Sequence, residues 1–178
     1  MKQLENKIKK DNVENAFLQQ RQQFRKETFQ STKSAEHHLE LVDVINGVDY
    51  INDSVSVDIN TTWQSLERIQ KNVVWIAGGT SKNNDYEQMR GMVREKVKVI
   101  ICFGNEQTNI FQAYHNDVKL VINANNLRDA VVIAENFSEE NECVLFSPAC
   151  ASYDDFENYE QRGIAFKAEI SKLKWGGI

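Results

Sequence analysis

Apolar residues in this chain follow two spacings that alternate along most of its length. Residues 39–45 and 48–51 alternate in the two-residue rhythm of strands, and Asn46-Gly47 between them is the strongest short hairpin signal. Residues 61–70 switch to helical spacing, with Asn60 or Thr61 as the expected N-cap. Strands and helices then take turns. Residues 73–77 form a continuous apolar run ending in Gly78-Gly79, and 85–96 read as a helix. Residues 97–103 are a second apolar run, and 106–115 a helix. Residues 118–122 read as a short strand, 126–137 as a helix, and 143–147 as the last strand. A closing helix is expected over 154–173, with a break near Gly163. Continuous apolar strands separated by amphipathic helices predict an α/β fold of Rossmann-like type. It would be a mostly parallel sheet flanked by helices, with an antiparallel edge hairpin.

The first 35 residues follow neither rhythm strongly. Leu4, Ile8, Val13, Phe17, Phe24 and Phe29 recur at roughly helical spacing in a polar background, so an N-terminal helical arm is expected over 1–35. Its apolar stripe is too thin for stability alone. It must lie on the rest of the chain or on a protein partner. The remaining domain spans 36–178.

In an open parallel sheet, ligands bind beyond the C-terminal ends of the strands. That rule selects four loops: 52–60, 78–84, 104–106 and 147–155.

Composition narrows the function classes. With 21 basic and 26 acidic residues the net charge is −5, so no nucleic acid is expected as a partner. No long apolar run suggests a membrane span, and the charged start lacks a signal-peptide core. A cytoplasmic location is the default expectation. The three cysteines, Cys102, Cys143 and Cys150, are widely spaced and read as reduced, buried thiols. No metal-ligand spacing appears among the three histidines.

Three segments carry a family pattern. Tyr50-Ile51-Asn52-Asp53-Ser54 follows the hairpin, and Trp75-Ile76-Ala77-Gly78-Gly79 precedes Lys82 and Asp85. The third runs from Leu145-Phe146-Ser147-Pro148-Ala149-Cys150-Ala151-Ser152 to Tyr159-Glu160-Gln161-Arg162-Gly163. Together they resemble the C-terminal domain of the D-glutamate-adding Mur ligases. A weaker segment, Asp11-Asn12-Val13-Glu14-Asn15-Ala16, resembles the end of the family's central ATPase domain. The resemblance implies ATP-dependent joining of an amino acid to an acyl phosphate, with the C-terminal domain holding the amino acid and closing over the nucleotide. It further implies that Lys82, Ser152 and Tyr159 contact the amino acid, and that Asp53 and Asn15 lie near the nucleotide. For Asp53 the residue-level alternative is a cap on the turn after the hairpin. For 147–152 it is a tight loop kept for packing.

The departures from the family pattern are selective. The family's lysine and threonine after Asn-Asp-Ser are here Val55 and Val57, which offer neither charge nor hydroxyl. Its His-Arg pair is His37-His38, the aspartate after Gly-Gly is Thr80, and the leading histidine of the weaker segment is Asp11. The sequence also holds no G-x-x-x-x-G-K-[ST] phosphate loop. No cofactor is therefore expected, with ATP and Mg entering only if a partner supplies the ATPase domain. The expected role is a non-catalytic binding or structural protein docked through the N-terminal arm. The alternatives are one part of a ligase acting in trans, or a sensor of an acidic amino acid.

Overall fold

The computed structural model describes residues 36–80, 84–151 and 156–174. Contacts divide the chain between Ser34 and Ala35, and the fold below is that of the second unit, Ala35–Ile178. The N-terminal helical arm expected over 1–35 lies outside the described residues.

Six strands form one sheet: β1 (Glu40–Ile45), β2 (Val48–Asn52), β3 (Val73–Gly78), β4 (Val97–Phe103), β5 (Leu120–Asn123) and β6 (Cys143–Phe146). Their order is β1-β2-β6-β3-β4-β5. Only β1–β2 is antiparallel. The hairpin turns on Asn46 and Gly47, both with positive φ, as a tight two-residue turn requires. Five helices accompany the sheet among the described residues: α1 (Ile59–Arg68), α2 (Arg90–Lys96), α3 (Gln107–Tyr114), α4 (Leu127–Phe137) and α5 (Tyr159–Lys174). This is the α/β architecture expected from the alternating periodicities.

Every residue of β3 and β6 is buried, because helices cover both faces. On one face Val74, Ile76, Val99, Ile101, Val144 and Phe146 join a core with Ala130, Val131 and Ala134 of α4 and Phe166, Ile170 and Leu173 of α5. Phe146 and Phe166 stack with ring centroids 4.8 Å apart. Side chains on a strand alternate between faces, so Trp75 points the other way. Its ring lies 6.1 Å from Tyr114 of α3, and Tyr114 in turn packs against Tyr86.

Several element ends differ from the sequence expectation. The cap of α1 is Asp58, not Asn60 or Thr61: its carboxylate accepts the Thr61 amide at 2.9 Å from an extended backbone. The helix expected over 85–96 opens with a 3₁₀ turn, Tyr86–Met89, capped by Asp85. Strand β5 starts at Leu120, after a turn closed by Asp117 N–H on the Tyr114 carbonyl. Helix α5 starts at Tyr159, because Asn158 accepts the Gln161 amide at 2.8 Å and ends the loop there. It runs unbroken through Gly163. A β-carbon at Gly163 would sit 2.2 Å from His37 Nδ1 and 2.4 Å from Ser54 Oγ. The glycine serves close approach rather than a break.

Candidate functional site

The order of strands places a switch point between β3 and β6. From β3 the chain moves outward through β4 to β5, then returns to insert β6 between β2 and β3. The loops leaving β2, β3 and β6 therefore meet at one end of the sheet, where such folds bind ligands.

Loop 53–58 is built around Asp53, which is wholly buried. Its Oδ1 accepts the Leu39 amide at 3.1 Å and His38 Nδ1 at 3.1 Å. Its Oδ2 accepts the hydroxyls of Ser56 at 2.6 Å and Ser147 at 2.8 Å. Ser147 spends its single proton on Asp53, so the 2.9 Å contact with Thr62 has Thr62 as donor. Arg68 donates to His38 Nε2 at 3.2 Å, which puts the ring proton on Nδ1, toward Asp53. Beside this cluster Asn52 donates to His37 Nδ1 and to Glu40 Oε2 and accepts the Ser54 amide. Val55 is partly buried and Val57 is 42% exposed at the rim.

Loop 147–151 is held atom by atom. Five consecutive carbonyls each accept a hydrogen bond from a donor outside the loop. Trp75 Nε1 reaches Ser147 at 2.6 Å, the Gly78 amide reaches Pro148 at 3.0 Å, and Asn84 Nδ2 reaches Ala149 at 2.8 Å. Arg162 Nη1 reaches Cys150 at 2.9 Å, and the Thr80 amide reaches Ala151 at 3.4 Å. Ala149 has φ of +57°, a left-handed conformation unusual for a residue with a β-carbon. Such strain persists where the surroundings over-determine the backbone. Gly78 belongs to the same packing: a β-carbon there would meet the Phe103 carbonyl oxygen at 1.9 Å.

Arg162, on the first turns of α5, is 1% exposed. Its Nη2 donates to the Ser54 carbonyl at 2.8 Å, while its Nε has no partner. Burial pushes its guanidinium down to about 10, leaving it charged at neutral pH.

Of the residues singled out in the sequence, the structure describes two. Asp53 sits at the centre of the cluster above. Tyr159 opens α5, its ring edge-on to His37 with centroids 6.0 Å apart. Lys82, Ser152 and Asn15 lie outside the described residues. The stems leading to Lys82 and Ser152 are joined by a Thr80–Ala151 bridge. Sequence reasoning missed Arg162, Asn84 and Thr62. For Arg162 a signal existed: it shares the apolar stripe of α5 with Phe166, Ile170 and Leu173. A cation on a buried stripe asks for partners.

A cleft of about 420 Å³ opens at the opposite end of the sheet. Its charges already face one another, with Lys98 on Glu139 and Glu142 and Arg94 on Asp117. Among the described residues no group of His, Cys, Asp and Glu could hold a metal ion, and no helix is long and apolar enough to cross a membrane.

No family model matches the chain. Curated relatives do. It is 42% identical over 157 residues to the UDP-N-acetylmuramoylalanine–D-glutamate ligase of Christiangramia forsetii, covering 88% of this chain and 35% of the relative. The ligase of the same name from Chloroherpeton thalassium is 42% identical over 143 residues, 80% of this chain and 30% of the relative. The chain thus spans about a third of the length of the curated relatives it matches. Among solved structures, a domain assigned to a UDP-N-acetylmuramate:L-alanyl-gamma-D-glutamyl-diaminopimelate ligase of Haemophilus ducreyi superposes with a TM-score of 0.50 at 12% identity. That match covers 79% of this chain and 99% of that one. A pseudomurein peptide ligase type C from Methanothermus fervidus gives 0.53 at 10% identity, over 79% of this chain and 30% of that one. At such identities these structures speak to the fold alone. The curated relatives, with a fold that agrees, make this chain a Mur-ligase C-terminal-like domain. Among Mur ligases, the sequence is similar to the D-glutamate-adding enzymes, as its motifs indicate.

Proposed function

We propose that this Mur-ligase C-terminal-like domain acts as a non-catalytic binding or structural module that docks on a protein partner, with residues 1–35 as the docking arm. The observation that carries the reading is Asp53. The family resemblance puts this aspartate near a nucleotide, yet here four donors fill its oxygens and it has no exposed surface. A ribose hydroxyl could reach it only by displacing a donor, and each hydrogen bond to a charged group is worth about 1.5–3 kcal/mol. Val55 and Val57 agree, since neither can replace the lysine and threonine of the family pattern. Loop 147–151, with its carbonyls all engaged, is explained by packing alone.

A second reading has one observation behind it. The Thr80–Ala151 bridge holds together the stems that lead to Lys82 and Ser152, which suits an acidic amino acid held between the two loops. On that reading the chain supplies part of a peptidoglycan-precursor ligase in trans, or senses the amino acid. The two readings separate in a coupled assay for ADP release. The chain is mixed with an ATPase-bearing Mur ligase that has lost its own C-terminal domain, together with D-glutamate and the acyl acceptor. We expect no ADP above the rate without this chain. D-glutamate-dependent ADP release that Lys82→Ala abolishes would overturn the non-catalytic reading.

A further inference from the structure

The buried guanidinium at the switch point has no part in the function above. Among the described residues no carboxylate pairs with Arg162. Its two terminal nitrogens instead reach carbonyls of separate loops, Ser54 after β2 and Cys150 after β6. Among the described residues those two loops are otherwise joined by the Asp53 amide on the Phe146 carbonyl and by the Ser147 hydroxyl on Asp53 Oδ2. Gly163, the next residue, lets α5 come close enough for the reach. Loop 147–151 also contains the left-handed Ala149, a conformation that needs external restraint.

We propose that Arg162 is a positioning residue that couples the two loops, so that the protein's own buried cation, and not a ligand, sets how they meet at the switch point. A guanidinium suits the task because its planar fork holds donors at fixed angles toward two acceptors at once. Lysine keeps the charge but offers a point donor, which cannot serve both carbonyls with the same geometry. The coupling does not depend on any ligand. It predicts that weakening the fork frees both loops together while leaving the sheet intact.

Amide hydrogen exchange on the full chain reads this directly, because local opening and global unfolding separate amide by amide. The probes are the amides of Val55 and Ser56 in one loop and Ala151 in the other, each hydrogen-bonded in the native state. The amides of His115 and Ser138, at helix ends away from both loops, report local opening that leaves the fork closed. In Arg162→Lys the loop amides should exchange about tenfold faster or more, all three together, with His115 and Ser138 unchanged. Gly163→Ala, which pushes α5 outward by a different route, should give the same pattern. Equal acceleration of all five amides would reduce Arg162 to a general stabiliser and overturn the proposal. So would unchanged loop amides, or a response confined to one loop.

Discussion

A carboxylate whose oxygens serve a backbone amide, two hydroxyls and an imidazole is part of the fold before it is part of any site. Asp53→Asn tests that at the residue scale. The amide would keep its oxygen on the Leu39 N–H and turn its NH₂ toward the Ser56 and Ser147 hydroxyls, so the two charge-assisted bonds they donate are lost and both must accept instead. We expect a loss of roughly 2–4 kcal/mol in stability, read as a lower urea midpoint with unchanged slope. A ligand-binding aspartate that the fold did not need would leave the midpoint in place. The cysteines give a second residue-scale test. All three are buried, and burial pushes the Cys102 thiol up to about 12. Thiolates are the reactive form, so a bulky thiol reagent should modify none of them until the protein unfolds. Asp53 also shows what the sequence could reveal at this scale. Its two candidate roles, turn residue and nucleotide contact, were both legible. The choice between them was not, because Ser147 lies 94 positions away and the hydrogen bond between them exists only in the folded chain.

At the scale of elements, apolar rhythm carried most of the information. The limits of β4 follow from an apolar run broken only by Lys98 near its start, and its continuous part, Val99 to Phe103, is what a strand covered on both faces tolerates. Ends set by hydrogen bonds were harder to read. Asp58 took the cap of α1 from the neighbouring Asn60, and Asn158 delayed α5, since an Asx side chain several residues away competes on geometry that spacing does not encode. Gly163 looked like a breaker and is a contact. Gly163→Ala should destabilise by about 1–3 kcal/mol through overpacking against His37 and Ser54, although alanine is the better helix former. Phe166→Ala removes the ring stacked on Phe146 and should cost roughly 3–5 kcal/mol. Both are read from chemical denaturation. The same helix is tied to β1 through Lys167, which bonds Glu36 and Glu40. Burial raises the Glu40 carboxyl, but bonds from the His37 amide, Asn52 and Lys167 outweigh it and hold the group below the usual 4.5. A depressed carboxylate stabilises the fold above its unfolded value, and that contribution disappears as pH falls through the folded value. Glu40→Gln should therefore lower stability by up to about 1 kcal/mol at pH 7 and by less at pH 3.

At the scale of the whole molecule, the question is what remains of a ligand site when the frame of a Mur-ligase C-terminal domain is kept. The frame is intact: six strands in order β1-β2-β6-β3-β4-β5, loops that meet at the switch point, and loops held by the protein's own donors. The valines at positions 55 and 57 and the enclosure of Asp53 concern ligands and leave the frame untouched. The measurement that tests this most directly is a titration of the isotope-labelled chain, followed by backbone amide shifts. D-glutamate is added in one series and ATP with magnesium in another. The non-catalytic account predicts no saturable shifts at millimolar ligand in either series. Saturable shifts confined to the amides of residues 78–84 and 151–159 with D-glutamate, or of Asp53 to Val57 with ATP, would contradict it.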